Sequence, residues 1–381
     1  MVHFSAAKNS PDRVAEITGI FQDAGLFSPQ PISMQSLDET ALEQIQRTNI
    51  KLDAFQSLQT GLNERGIGSY IELIWPLPGE TLASFRKGIS TLCARGAHTI
   101  VIYTHLLLHN TPLFRKRDEL GLVTRPAHDG LAEADIVVQT ADVTAQDFVD
   151  GMWLIYATKS LYNTRTLRIL SRYLHLKGIR AHGDLYADFV DFCRTEPDHP
   201  YSRFCRESVA EARYYDITNY PAAYFLVLQG ERAAFEALLH RFASSQPWWD
   251  DPDARALFEV DAVKKPFLYR DAAITGPDHP LSEVTLLEAS DHAYLVEIPQ
   301  RVVDLLATLS DEPAFGTTGG RGASTARRFR VDHRRRQHRF SADQSAEAQA
   351  DYCSGAIARI ESIMPLWTPA PQPDTLASSL A

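Results

Sequence analysis

The chain has 381 residues, 44% of them apolar and 23% charged, with a formal net charge of −10 and an isoelectric point of about 5.7. That length suits two domains, and the apolar share supports a buried core and excludes global disorder. The acidic balance argues against nucleic acid as a partner. No apolar run approaches the ~18–20 residues of a membrane span, and "MVHFSAAKNSPDRV" carries no signal-peptide pattern. No membrane association and a cytoplasmic location are therefore expected.

The first ~125 residues alternate strand and helix signals. Val2–Ala7 reads as a strand, and Ser10 and Pro11 read as the N-cap and first residue of a helix that Gly25 ends. "PISMQS" is a short strand. Asp38 and Glu39 open the next helix, and "LDAFQSLQTGLNERGI" is amphipathic. "GSYIELIW", "GETLASFRKGISTLCARG" and "HTIVIY" then read as strand, helix and strand. Strands of near-continuous apolar character fit a parallel sheet covered by helices. Ligands of such sheets sit at the C-terminal strand ends. Here those ends carry Lys8 and Asn9, Gln35 and Ser36, Glu72 to Pro78, and Tyr103 to His105.

Beyond Arg125 the pattern turns helical as far as about residue 300, apart from strand-like runs near Glu283–Pro299. "RRFRVDHRRRQHRF" is basic and alternating, which suits a solvated hairpin, a charged edge strand or an anion patch. The paired tryptophans of "PWWDDP" suit core or interface packing, with substrate stacking as the other reading. Residues 369–381 have the composition of a disordered tail. The boundaries expected are 1–125, 126–300, 301–368 and 369–381.

Three residues carry the chemical interest. Gln35 closes one strand, Arg47 follows the next helix, and Glu72 interrupts an apolar strand. A carboxylate in such a strand is costly without a polar partner. Glu72 can accept from hydroxyls or an amine, Gln35 can donate and accept, and Arg47 can fork onto a carboxylate. The set suits a zwitterionic ligand bearing a ribose. It equally suits a structural Glu–Arg pair beside a turn glutamine.

"ISMQSLDETALEQIQRTNI", "IELIWPLPGETLASF" and "IVIYTHLLLHNTPLFRKRDELGL" follow one another in the order and spacing of the second half of the radical SAM barrel. They resemble most its cobalamin-associated branch: a strand ending in Gln-Ser, an acid-Leu-Ile strand leading into "LPGET", then a strand ending in Tyr before "TPL". The likeness covers residues 3 to 125, and more loosely the region to about 205. It implies an α/β fold, a partial (β/α) barrel of about four strand–helix units followed by a mostly helical region. It also implies S-adenosylmethionine as cofactor, with Gln35, Arg47 and Glu72, and more weakly Lys8 and Asn9, as contacts. The branch's methyl transfer is the implied reaction, on a small-molecule or peptide substrate.

The departure lies in the cysteines. Cys93, Cys193, Cys205 and Cys353 form no CxxxCxxC loop, and three thiolates are what a [4Fe–4S] cluster needs. The cluster and cobalamin are therefore expected only in a complete enzyme, on a separate N-terminal segment, and this chain is expected to be inactive alone. Two other readings stay open: a non-catalytic protein that binds a partner or nucleoside, and an unrelated barrel enzyme using Glu72 as acid or base. The latter lacks a second catalytic group at the neighbouring strand ends.

Overall fold

The computed structural model describes residues 11–26, 29–49, 52–64, 68–127, 134–210, 219–268, 276–310, 315, 327–333 and 345–371. In chain order the elements are α1 (Pro11–Asp23), β1 (Gln30–Gln35), α2 (Glu39–Gln44), α3 (Leu52–Glu64), β2 (Ser69–Trp75), α4 (Leu82–Ala94), β3 (Ile100–Thr104), β4 (Leu106–Leu108), α5 (Pro112–Arg115), β5 (Val123–Pro126) and β6 (Ala134–Gln139). There follow α6 (Ala145–Thr158), α7 (Arg168–Leu176), α8 (His182–Thr195), α9 (Pro200–Ala210), α10 (Asn219–Phe225), α11 (Arg232–Ser244) and α12 (Pro252–Lys264). The last are β7 (Thr285–Ser290), β8 (Ala293–Glu297), α13 (Gln300–Leu309), β9 (Arg328–Asp332), α14 (Ala346–Ala358) and β10 (Leu366–Pro369). The molecule is thus a mixed α/β protein. Among the described residues no helix is long and apolar enough to cross a membrane.

Two compact units form: residues 1–159, 182–194 and 202–223 make one, and residues 160–181, 195–201 and 224–381 the other. In the first, β1, β2 and β3 lie side by side in chain order as a parallel sheet. The strands expected at Pro31–Ser36, Gly68–Trp75 and His98–Tyr103 are these three. The strand expected at Val2–Ala7 lies outside the described residues. A second sheet, β4-β6-β5, is antiparallel throughout.

Strand alternation explains the parallel sheet's two faces. Ile32, Met34, Ile71, Leu73, Trp75, Ile100 and Ile102 are buried, as are Phe85, Ile89 and Leu92 of α4. Trp75 stacks on Phe85 with ring centroids 4.4 Å apart. Thr81 and Ser84 form a reciprocal capping box that starts α4 at its observed residue. The opposite face carries Pro31, Ser33, Tyr70, Glu72, Ile74 and Val101, all only half-buried, and the exposed Tyr103; Gln35, at the strand's end, is half-buried too.

Two glycines set helix approach in this unit. The α8 helix comes so near α4 that a Cβ on Gly183 would lie 2.8 Å from Ser90 Oγ. The same Ser90 oxygen accepts the Gly183 N–H at 2.8 Å. On α6, Gly151 faces the Trp75 indole, whose Nε1 donates to the Phe148 carbonyl at 3.4 Å.

The second unit packs α7, α11, α12 and α13 beside an antiparallel sheet ordered β10-β9-β8-β7. Here β9 runs between β10 and β8 and is no edge strand. Phe329 and Val331 are fully buried while Arg328 and Arg330 face outward, so the charges that suggested an edge decorate one face of an interior strand. The remainder of that basic run, residues 334–340, lies outside the described residues. Trp248 is buried and Trp249 meets Phe258 edge-on at 5.4 Å, which is packing.

Candidate functional site

The C-terminal end of the parallel sheet is built from three short connections. Glu72 sits mid-strand on the half-buried face, opposite Ser33 of β1 in register. Ser33 Oγ donates to Glu72 Oε2, and the Tyr103 hydroxyl of β3 donates to Oε1 at 3.4 Å. Tyr70, on the same face, has its phenol pushed up to about 12, by burial and then by the charge of Glu72. The acid thus answers to hydroxyls on both neighbouring strands, and these partners lie on the sheet rather than in the helical layer. A carboxylate flanked by hydroxyls on a half-open face can accept further hydrogen bonds from a ligand's hydroxyls or amine.

Gln35 ends β1 with φ of +65°, a left-handed conformation uncommon outside glycine. The Ser36 N–H donates to the Met34 carbonyl at 2.8 Å, closing a three-residue turn around Gln35. The pairing with β2 slips there: Ser33 pairs with Glu72, but Gln35 pairs with Leu73. The Gln35 side-chain amide makes no hydrogen bond among the described residues. Arg47 is exposed, two residues beyond the C-cap of α2, and no contact joins it to Glu72. Lys8 and Asn9 lie outside the described residues. Gln35 and Glu72 therefore lie on neighbouring strands, and Arg47 is exposed beyond the end of α2.

Beneath the rim lies an acid that sequence reasoning passed over. Glu80, in "LPGET", is only 2% exposed, and Ser36 Oγ donates to its Oε1 at 2.6 Å. Its Oε2 is buried with no hydrogen-bond partner. Burial pushes its carboxyl up to about 8; the Ser36 hydrogen bond opposes and the Asp38 charge assists. No local signal marked it: Glu80 directly precedes Thr81, an ordinary N-cap residue for α4. Gly79 precedes it with φ of +83°, and a Cβ there would press within 3.1 Å of the Thr40 and Ala41 backbone.

His105 closes the third strand end. It is buried, its Nδ1 donates to the Pro76 carbonyl at 2.8 Å, and burial lowers its pKa to about 4. The His105 ring thereby ties the connection after β2 to that after β3. Pro76 follows a cis peptide bond.

A pH dependence follows from Glu80. Its folded pKa of about 8 lies above the ordinary 4.5, so the stability from its protonated form is full below about 4.5 and lost as pH rises through 8. Glu80→Gln cannot ionise. Denaturant melts at about pH 5, 7 and 9 should show the parent losing stability relative to Glu80→Gln as pH rises. A gap that stays constant with pH would mean that the carboxyl is not held neutral.

The chemistry of the donors tests which cofactors fit. A half-open polar row with an amide and a carboxylate can hydrogen-bond a ligand that bears hydroxyls or an amine. A ligand set for an iron–sulfur cluster does not form among the described residues: the four thiols are buried and far apart in the chain, and no three His, Cys, Asp or Glu side chains group as metal ligands.

No protein-family model matches the chain. Two curated proteins are similar to it. One is the 2-(S-pantetheinyl)-carbapenam-3-carboxylate methyltransferase of Streptantibioticus cattleyicolor, 31% identical over 265 residues, covering 66% of this chain and 38% of that protein. The other is the cobalamin-dependent radical SAM methyltransferase TokK of Streptomyces tokunonensis, 32% identical over 247 residues, 61% of this chain and 36% of that protein. The chain spans well under half the length of these relatives.

Proposed function

We propose that this chain is the C-terminal portion of a cobalamin-dependent radical SAM methyltransferase, supplying S-adenosylmethionine and substrate contacts from a partial (β/α) barrel. The similarity to two methyltransferases supports the chemistry, and three parallel strands in chain order support the barrel portion. The observation that carries the site is the hydroxyl-flanked Glu72 on the half-buried sheet face, one strand away from Gln35.

In this reading the cluster and cobalamin belong to a separate N-terminal segment, which is the partner, and this chain alone is inactive. When bound, the cofactors supply a radical and a methyl group. This chain's residues bind and orient. Glu72 accepts from the ligand's hydroxyls or amine, Gln35 hydrogen-bonds it at the strand end, and Arg47 meets a carboxylate. A small molecule or peptide is the expected substrate. A non-catalytic, nucleoside-binding protein is the competing reading.

Calorimetric titration of the purified chain with S-adenosylmethionine tests the site. Weak binding is expected, and Glu72→Ala should lower the affinity ~10-fold or more, the worth of one hydrogen bond to a charged group. Equal affinity in the variant removes Glu72 from the site. Anaerobic treatment with iron and sulfide should leave the chain without a stoichiometric cluster and without 5′-deoxyadenosine formation. Formation of both overturns the division of labour. Restoration of turnover by an added N-terminal segment distinguishes an enzyme portion from a non-catalytic binder.

A further inference from the structure

The end of β1 holds a residue in an unfavourable backbone conformation and surrounds it with ties. Gln35 has φ of +65°, has a Cβ, and centres a turn closed by Ser36 N–H to Met34 O at 2.8 Å. Such turns are rare and strained for residues with a side chain, and they persist only where neighbours over-determine them. Three ties converge on the next residue. Asn49 Nδ2 donates to the Ser36 carbonyl. Ser36 Oγ accepts the Asp38 N–H at 3.0 Å and donates to Glu80 Oε1 at 2.6 Å. Asp38 in turn caps α2 through the N–H groups of Thr40 and Ala41.

These ties are specific in direction. Because Ser36 Oγ spends its proton on Glu80 Oε1, that oxygen must accept. The other carboxyl oxygen is buried without a partner, a setting that disfavours the charged form of the acid and leaves the neutral one. Burial, with the Asp38 charge adding to it, favours that neutral form. A glutamine reproduces this arrangement, with its amide oxygen accepting from Ser36; an alanine leaves the Ser36 hydroxyl without its acceptor. Meanwhile the Gln35 amide is left uncommitted among the described residues. Gln35 is half-buried, and it lies two residues beyond Ser33, whose hydroxyl meets Glu72.

We infer that Ser36, Glu80 and Asn49 are positioning residues that hold Gln35 in a strained turn so that its amide is presented to the ligand, fold stability being given up for binding. The inference rests on the reading of Gln35 as a cofactor contact for its binding arm alone; the strain and the ties stand without it.

Three measurements decide it, two of them free of ligand. Gln35→Gly relieves the strain and Gln35→Ala keeps it, so the glycine variant should melt about 2–4 °C above the alanine variant. A glycine variant that melts at or below the alanine variant overturns the strain. Amide exchange at Ser36 reads the turn directly. It should quicken at least ~10-fold in Glu80→Ala and Asn49→Ala, and stay within ~3-fold of the parent in Glu80→Gln. Unchanged exchange in both alanine variants, with the chain folded, overturns the clamp. Glu80→Gln guards against a general loss of folding, because it keeps the core volume and the acceptor. Titration with S-adenosylmethionine should then show ~10-fold weaker binding in Ser36→Ala and Glu80→Ala, with Glu80→Gln retaining affinity. Quickened exchange with unaltered affinity overturns the positioning role. A parent chain that binds no S-adenosylmethionine overturns the cofactor reading and with it the presentation of Gln35, while the melting and exchange results still judge the strained turn.

Discussion

Glu236→Ala should destabilise the second unit by about 3–5 kcal/mol, the cost of leaving buried charge unpaired. Glu236 Oε1 lies 3.1 Å from Arg232 Nε and 3.2 Å from Lys265 Nζ, with side-chain exposures of 3%, 13% and 0% for the three residues. The Asp278 N–H donates to Oε2 at 3.1 Å. The lysine contact is an ion pair without a well-aligned hydrogen bond, so its attraction is chiefly Coulombic. Burial alone pushes the Glu236 carboxyl up, yet Lys265 and Arg232 outweigh it and bring the group down to about 2. Removing the acid leaves two cations facing each other. Lys265, which burial already lowers to about 8, should then give up its proton near neutral pH. Urea unfolding at about pH 7 measures the loss, and Glu236→Ala combined with Lys265→Met should recover much of it. A single-variant loss below about 1 kcal/mol would show that the cluster is solvated.

Gly151→Ala should cost the first unit about 1–3 kcal/mol or more. Alanine is ordinarily the better helix residue by ~1 kcal/mol, so the expected sign is decided by packing against propensity. A methyl at Gly151 would lie 2.8 Å from Trp75 Cζ2 and nearer still to Nε1 and Cε2. The indole cannot yield: Trp75 is fully buried, stacks on Phe85, and donates to the Phe148 carbonyl. Gly61→Ala on α3, where a Cβ meets nothing within 4 Å, is the control and should raise stability by ~0.5–1 kcal/mol. Paired denaturant curves measure both. Equal effects at the two positions would mean that α6 can move away from the sheet.

The elements legible in the sequence were those that local rules define. Pro11 in α1, the Asp38 cap, Gly25 after a helix and three near-continuous apolar strands each act through residues adjacent in the chain. Glu72 was legible for the same reason: an acid among apolar neighbours is conspicuous wherever the strand goes. Its partners were not. Ser33 and Tyr103 lie 39 and 31 residues away, and only the parallel register brings them to its sides.

What the sequence by itself determined is the alternation of strand and helix, the polar strand ends, and the lack of a cysteine triplet. These are properties of spacing and residue type. What only the tertiary structure decided is which polar groups lose water. Glu80 reads as an ordinary surface acid after Pro-Gly, yet the fold buries it against Ser36. Arg232 and Glu236 stand four apart in the sequence, but only the fold brings Lys265 from another helix end to bury them together. The run Arg328–Asp332 reads as a solvated hairpin, a charged edge or an anion patch until strands pair on both sides. Gln35 stands out in the sequence as a polar strand end, but its strain does not, because backbone strain has no local signature and arises where the β1 register slips against β2. In each case desolvation or strain depends on neighbours distant in the chain, and periodicity carries no record of them.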